Sequence, residues 1–562
     1  MPAHFKHLRP WREMRRSILR DYQGTLFPNA PDRDFIAKQI VNFTLQAAEA
    51  MVQTLAANRP RFLITPKAPK FTAFASKMER ALNRYAALLH MEEILQEIVR
   101  DAYSTIGIGK LYMADSIAVG FEQDYRADPG KPFLQRVCLD HYVYDTTGTS
   151  WPQVSFASDR YRISYDQLMA DIRFKKWRDK FRNLCQNQRE NEESAQIPAH
   201  LESVTDYLWL ADVYVAAERR IYTYVVDTQF HMMIDQPIAT QKWNGEDCGP
   251  YHYLNLGPVP DECMPTSPGQ NLKLLNELAN TLYRKLEQQA RRQKIITVGH
   301  NADPNDLEAL RKSEDGEHVP VSNPDSVSQL RFDGPDAQLA GFYLSVQQQL
   351  SRAAGNLDHK LGLAATTRTI GQESMIGEAV SRMEQHQQQR YVAFVRRIAK
   401  GLARLLWNDG FTTIEGVQPV EGTPFMVDDT WLGAVEPGAR QGEFNSYEVD
   451  IDPYALVAMT PSEKLAAIRT EVQTWLPALP MLMQLGVAPD IAEYFKQVER
   501  LSNLPEISKI FKTDQQPMEP AAGGRSGGSA NGGVYRHVSS GASPKDPQAD
   551  AVAMMSQGGG NE

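Results

Sequence analysis

The sequence has few cysteines and no motif that pairs them. Its 562 residues include only Cys138, Cys185, Cys248 and Cys263, and no two of them form a C-x-x-C pair. Such scattered cysteines argue against a disulfide framework and against a structural zinc site. We therefore expect four buried or free thiols, and neither a metal nor another cofactor.

Long hydrophobic runs are also lacking. No stretch approaches the ~18 consecutive apolar residues of a membrane-spanning helix, so we expect no membrane span. The first seven residues, MPAHFKH, lack the apolar core of a signal peptide, which predicts a protein that stays in a cytoplasm. The net charge of −9 disfavours a protein that coats nucleic acid, although local contacts with nucleic acid stay possible.

Motifs of catalysis are sparse. Residues 106–111 (IGIGKL) lack the upstream glycine and the Ser or Thr after lysine that a phosphate-binding loop needs, so a turn leading into a strand explains them better. Cys248, His252 and Cys263 match no zinc-binding spacing.

Paired carboxylates give no clearer signal. Asp140 and Asp145 could hold a catalytic cation, but solvation at the ends of loops or strands explains them equally well. No G-x-S-x-G motif and no Ser, His and Asp set stands out. The sequence therefore favours a structural or binding protein and not an enzyme.

The amino-terminal segment is basic. Within residues 1–20, one acid, Glu13, stands against six cations: Lys6, Arg9, Arg12, Arg15, Arg16 and Arg20. Residues 1–29 are either a solvated helix face or a basic arm that touches an acidic partner or nucleic acid. Apolar periodicity predicts helices over 33–57 and about 71–106.

From residue 107 to about 260 the pattern is that of strands. Short alternating stretches are separated by turn signals such as DPG at 128–130 and WNG at 243–245. One helix is predicted near 164–183, with Ser164 as its N-cap.

Two amphipathic helices follow, at 270–292 and 337–357, and they enclose an acidic α/β insertion at 293–336. Their predicted packing faces consist of aliphatic residues at helical spacing: Leu275, Leu278, Leu282, Leu286, Val346, Leu350 and Leu357.

A very long helix is predicted over 369–407. Gly371 and Gly377 lie near its start, and each costs up to about 1 kcal/mol relative to alanine, so we expect a kink or a late start there. Residues 385–390 (QHQQQR) are polar on every side and must face solvent or a polar neighbour.

The remaining chain completes an α+β, mainly helical protein. Strands are predicted over 408–454 and helices within 455–512. Residues 513–562 are rich in Gly, Ser and Ala, which predicts a disordered tail.

This order of parts resembles the portal protein, or head–tail connector, of tailed double-stranded DNA bacteriophages. Four segments carry the resemblance along residues 30–510: DAYSTIGIGKLY at 101–112, VCLDHYVYD at 137–145, PGQNLKLLNEL at 268–278 and TTRTIGQES at 366–374. The resemblance implies a ring of twelve copies around a DNA channel.

The resemblance also implies how the chain is divided. The parts would be a β-rich wing (30–269, with 369–407 and 408–454), a two-helix stem (270–292 and 337–357), an α/β clip (293–336), a tunnel loop (358–368) and a helical crown (455–512).

Within that layout the resemblance implies two sets of contact residues. Candidates for the channel wall are basic: Lys273, Arg284, Lys285, Arg291, Arg292, Lys360 and Arg368. For Lys360 and Arg368, salt bridges between subunits are an equal alternative. Candidates for docking on the clip are acidic: Asp303, Asp306, Glu308, Glu314, Asp315 and Glu317.

The implied partners are double-stranded DNA, the terminase motor, a tail adaptor, and the major capsid and scaffolding proteins. The implied location is the portal vertex of the virion, after assembly in the host cytoplasm. Two alternatives remain: a nucleic-acid enzyme with an unrecognised site, and another helical virion assembly protein.

Overall fold

The structure is a computed structural model and describes residues 1–26, 40–114, 131–184, 207–246, 248–299, 304–312, 327–332, 334–355, 357, 370–409, 412–419, 426–431 and 441–452. It shows a mixed α+β protein. Contacts divide the chain into residues 1–504 and 505–562, and every described residue lies in the first unit. The predicted crown (455–512), tail (513–562) and tunnel loop (358–368) lie outside the described residues.

The described α-helices are α1 (Pro2–His7), α2 (Arg9–Tyr22), α3 (Phe43–Leu55), α4 (Thr72–Leu88), α5 (Met91–Ser104), α6 (Tyr165–Ala170), α7 (Pro268–Arg292), α8 (Pro304–Lys312), α9 (Ala337–Ala353) and α10 (Ile370–Asn408). The strands are β1 (Phe62–Pro66), β2 (Gly107–Ala114), β3 (Lys131–Arg136), β4 (Tyr142–Tyr144), β5 (Phe156–Ser164), β6 (Tyr207–Val215), β7 (Arg220–Val226), β8 (Ala239–Lys242), β9 (Tyr251–Leu254), β10 (Lys294–Gly299), β11 (Val327–Phe332), β12 (Val417–Pro419), β13 (Met426–Asp428) and β14 (Tyr447–Ile451).

Two antiparallel sheets form the centre of the body, as the β-rich pattern predicts. One has the strand order β3-β2-β9, and the other is a meander in the order β4-β5-β6-β7-β8. Helix α10 packs against β2, β3, β9 and β14. From Tyr391 to Leu406 the inner face of α10 is buried in the main hydrophobic core, because its apolar residues recur at helical spacing.

The amino-terminal segment is not a free arm. It forms α1 and α2, with Leu8 and Ile18 buried in the core. Arg15 is 5% exposed and pairs with Asp101 at 2.9 Å and Asp140 at 3.0 Å. These intramolecular carboxylates neutralise cations that the composition alone leaves available to a partner.

Helix boundaries differ from the prediction at several places. Residues 40–42 lie outside the helix predicted over 33–57, which begins at Phe43, and the helix predicted over 337–357 ends at Ala353. The single helix predicted over 71–106 is two helices, because His90 adopts the left-handed conformation (φ 48°) between α4 and α5.

The helix predicted over 164–183 begins as expected, with the Ser164 hydroxyl accepting a hydrogen bond from the Gln167 N–H, but it is interrupted after Ala170. A 3₁₀ helix follows at Ile172–Trp177, and residues 178–184 are again α-helical.

Helix α10 runs over 39 residues, close to the predicted 369–407. It continues through Gly371 and Gly377, so the expected late start is wrong. The α/β insertion contains the hairpin of β10 and β11 and the helix α8, as predicted.

Candidate functional site

Helices α7 and α9 form an antiparallel pair that leads from the body to the β10–β11 hairpin. At its start the Ser267 hydroxyl accepts a hydrogen bond from the Gln270 N–H, and Pro268 occupies the first turn. At the hairpin end the Gln289 side chain accepts from the Asp336 N–H at 3.1 Å. Tyr283 and Tyr343 meet between the helices, with 6.1 Å between ring centroids. We call α7 and α9 together the helical pair.

Most of the predicted packing residues of the helical pair lie at its inner face. Leu282 is 6% exposed, and Val346, Leu350 and Leu357 are at most 3% exposed. Leu275 packs at the edge of the core and Leu286 is half-buried. Leu278 differs: it is 39% exposed, because the inner face of α7 is centred on other residues.

The residues at the centre of this inner face include polar ones, which a search for hydrophobic periodicity does not predict. Asn280 is 1% exposed, and its side chain donates to the Val41 carbonyl and accepts from the Val41 N–H at 2.7 Å. Asn276 and Leu272 are also buried. Asn280 ties α7 to the chain just before α3, and its side chain also donates to the Asn276 side chain at 3.1 Å. A helical wheel with Asn counted as buried would move the packing face toward these two residues.

A continuous exposed stripe runs along the opposite side of α7. Its members recur at alternating spacings of four and three residues, which keeps them on one helix face: Leu274, Leu278, Thr281, Lys285, Gln288 and Arg292. We call this the outer stripe. It is apolar at the body end, where Leu274 is 75% exposed, and cationic at the hairpin end.

Helix α9 also exposes large apolar side chains. Phe342 is 52% and Leu344 is 56% exposed. Two residues of helix turn the chain through about 200°, so these side chains leave α9 in nearly opposite directions. The helical pair therefore presents apolar groups on more than one side.

The predicted channel cations differ in their surroundings. Lys285 and Arg292 are exposed on the outer stripe, whereas Arg291 pairs with Glu287 at 2.8 Å and Arg284 is half-buried. Lys273 donates to the Ser17 hydroxyl and lies 3.4 Å from Glu277, so it faces α2 and not a solvent-filled channel. Lys360 and Arg368 lie outside the described residues.

Only part of the predicted acidic docking set can be placed. Asp306 and Glu308 lie on α8, where Glu308 pairs with Lys312 at 2.8 Å and both side chains are exposed. Asp303, Glu314, Asp315 and Glu317 lie outside the described residues.

The weak catalytic candidates have structural roles in the described chain. Asp140 pairs with Arg15 and Arg16, and Asp145 accepts hydrogen bonds from the Thr147 and Ser155 hydroxyls. Burial raises the pKa of Asp145, but these hydrogen bonds outweigh it and bring the pKa to about 2.

Within the described ranges, no three His, Cys, Asp or Glu side chains are grouped so as to hold a metal ion, and this includes the set of Cys248, His252 and Cys263. In the same part of the chain, no helix has the length and hydropathy needed to cross a membrane.

Lys110, from the rejected phosphate-loop motif, lies in β2 and joins the two sheets. It is 3% exposed, and its Nζ lies 2.7 Å from Asp159 on β5 and 2.8 Å from Asp212 on β6. The Tyr251 hydroxyl donates to Asp159 at 2.6 Å. Burial lowers the pKa of Lys110, but the attraction of both carboxylates outweighs it and the pKa lies above its usual value. This lysine is a buried cation between strands and not a phosphate ligand.

Comparison of the sequence with models of known protein families finds no match. Comparison with curated proteins also finds none. The function is therefore argued from the helical pair and the body that carries it.

Proposed function

We propose that the chain is the portal subunit of a tailed double-stranded DNA bacteriophage. In this role a ring of twelve copies at one capsid vertex conducts the genome during packaging and ejection. The ring also docks the terminase motor, the tail adaptor, and the capsid and scaffolding proteins. The chain is then not an enzyme, and the hydrolysis of ATP belongs to the motor.

The observation that carries this proposal is the exposed apolar surface of the helical pair. A closed ring of identical subunits needs two different, complementary faces on each copy. Leu274 and Leu278 on α7 and Phe342 and Leu344 on α9 supply apolar groups on distinct sides of one rigid element. Clustered exposure of large apolar side chains favours burial against another chain.

The charges of the helical pair suit a conduit. Repeated around a ring, Lys285 and Arg292 give two narrow levels of positive charge, while the whole chain carries −9. Each phosphate that a protein neutralises strengthens DNA binding, so a wall with many cations would hold the DNA in place. A few cations on an acidic body allow DNA to slide.

The mass and shape of the purified full-length protein test this proposal. Native mass spectrometry should give about twelve times 63.3 kDa, and negative-stain images should show rings with a central hole. A stable monomer with metal-dependent nuclease activity would point instead to the enzyme alternative. A hexamer or a filament would favour another helical assembly protein.

A further inference from the structure

A cavity of about 690 Å³ lies in the body, away from the helical pair. One wall is α10, through Arg390 and Arg397, and the floor is β9, through His252 and Tyr253. Trp151 and the start of β5 close the other side. A volume of this size falls within the ~300–1,000 Å³ range typical of small-molecule sites.

The cavity is cationic, and the described residues of its lining include no acidic side chain. Arg397 donates to the Tyr253 carbonyl at 2.9 Å, and Arg390 donates to His386 at 3.4 Å. Neither arginine has a carboxylate in the described ion pairs. The neighbouring cations on α10 do, since Arg396 pairs with Asp450 and Lys400 with Glu246.

The two arginines are placed to act on one ligand. They are seven positions apart, which is almost two full turns, so both leave the same face of α10 about 10 Å apart along its axis. Guanidinium groups bind carboxylates and phosphates through paired hydrogen bonds. Partial burial lowers the pKa of Arg397, and an anion at this site would relieve that cost.

A buried histidine forms part of the cavity wall. His252 is 2% exposed, and its Nε2 has no hydrogen-bond partner among the described residues. Burial, with a smaller effect of Arg397, lowers the pKa of His252 to about 3, so the ring is neutral at pH 7. That nitrogen faces Gly401 of α10, where an added Cβ would lie 3.4 Å from it, so it packs behind the cavity surface and out of a ligand's reach.

The rest of the lining is largely apolar and aromatic. The ring of Trp151 stacks on that of Tyr253, with 3.5 Å between centroids and 12° between planes. The hydroxyls of Tyr253 and Tyr142 lie 2.5 Å apart. This hydrogen bond holds the aromatic wall in place, and aromatic walls favour flat ligands.

We infer that this cavity binds a small ligand in which a planar aromatic ring carries a phosphate or carboxylate group. Arg390 and Arg397 hold the anionic group, and the aromatic wall contacts the ring. The site goes beyond the proposed assembly role and does not depend on it, because all of these residues belong to one chain.

Isothermal titration calorimetry on the full-length protein tests the inference. Deoxyadenosine 5′-monophosphate represents the phosphate source and 2-naphthoate the carboxylate source, with deoxyadenosine and 2-naphthol as their neutral counterparts. At least one anionic probe should bind with a Kd below about 1 mM, and its neutral counterpart should bind at least tenfold more weakly. The inference is overturned if neither anionic probe binds, or if the neutral counterpart binds equally well.

Two variants on neighbouring positions of α10 locate the site. Arg397→Ala should weaken binding of the anionic probe at least tenfold. Arg396→Ala removes an adjacent cation that faces Asp450, outside the cavity, and should leave the Kd within about twofold. An equal loss of affinity in both arginine variants would mean that probe binding depends on the overall positive charge of the protein, and it would overturn the proposed site.

Discussion

At the scale of single residues, two aspartates face each other across neighbouring strands, and one lysine lies between them. Asp159 on β5 is directly opposite Asp212 on β6. Like charges in that register repel, and Lys110 from the other sheet compensates for both. Burial raises the pKa of Asp159, against the attraction of Lys110. This buried cluster of one lysine and two aspartates therefore fixes the two sheets relative to each other.

Removing the lysine should be costly. Lys110→Met leaves two carboxylates without their cation, and we expect a loss of about 3–5 kcal/mol in the free energy of unfolding, measured by chemical denaturation. The triple variant Lys110→Met, Asp159→Asn, Asp212→Asn should recover part of that loss, because no buried charge remains uncompensated. If Lys110→Met alone changes stability by less than about 1 kcal/mol, the cluster is not a structural link.

His252 predicts a pH dependence of stability. Its pKa falls from 6.5 to about 3 in the folded protein, chiefly through burial, so the unfolded chain takes up the proton first as pH falls. The contribution of His252 is therefore complete above pH 6.5 and decreases between pH 6.5 and 3.

The matched comparison is His252→Gln, which cannot titrate. The stability difference between the unsubstituted protein and this variant should shrink by about 2 kcal/mol between pH 7.5 and pH 5, measured by urea unfolding at each pH. A difference that is independent of pH would show that His252 is protonated in the folded state as easily as in the unfolded chain.

At the scale of elements, α7 separates residues that hold the fold from residues that are available to another chain. Leu282 and Leu278 belong to one apolar pattern in the sequence, but only Leu282 is buried within the chain. Leu274 and Leu278 lie on the outer stripe. Substitutions at these positions should therefore have different consequences.

Aspartate substitutions distinguish the two faces. Leu282→Asp buries a charge without a partner and should lower the free energy of unfolding by several kcal/mol. The double variant Leu274→Asp, Leu278→Asp should keep the unfolding transition within about 1 kcal/mol but abolish ring assembly, measured by native mass spectrometry. Normal assembly by the double variant would remove the outer stripe from the proposed interface.

Two helical glycines should respond oppositely to alanine. A methyl group at Gly341 of α9 meets nothing within 4 Å, so Gly341→Ala should stabilise by up to about 1 kcal/mol. At Gly401 of α10 the same group would lie 2.6 Å from Leu111 Cδ1, in the core. Gly401→Ala should destabilise by about 1–3 kcal/mol, because a packed core resists added volume. Thermal unfolding of both variants checks this, and stabilisation by Gly401→Ala would show that α10 can move away from β2.

At the scale of the whole molecule, charged residues lie both in the core and at the surface. The chain carries 60 Lys and Arg against 69 Asp and Glu, yet cations such as Arg15 and Lys110 are used inside the body. The buried charged residues of the described chain are three cations and seven aspartates, so its surface is less acidic than the composition suggests. In a ring, the net charge of −9 on each copy would still repel DNA and leave contact to a few exposed cations.

The carboxyl-terminal composition gives a prediction at this scale. Ten of residues 516–562 are glycine, and this segment has too few apolar residues to form a core. Truncation after Pro517 should therefore leave the unfolding transition unchanged. The number of subunits in the assembled particle, measured from its mass, should also stay the same. Loss of assembly in the truncated protein would contradict the prediction of a disordered tail.

Signals from residues close together in the sequence were sufficient to predict where several helices begin. The leucine period places α7 within two residues of its observed start, and the Ser164 cap places the start of α6. The break at His90 was missed, because neither Gly nor Pro marks it and only packing holds a histidine in the left-handed region. Leu278 was misplaced because a helical period does not say which residues lie at its centre.

By itself the sequence determined the period of each helix, the β-rich body, the absence of a catalytic motif and the order of parts, because these depend on neighbours along the chain. Only the tertiary structure decided which charges are neutralised. Arg15 meets Asp101, and Lys110 meets Asp159 and Asp212, across 49 to 102 residues of chain. The cavity beside α10 has the same origin, since its arginines, histidine and aromatic wall come from distant segments. Such distances in sequence leave no periodic signal, and only folding brings the partners together.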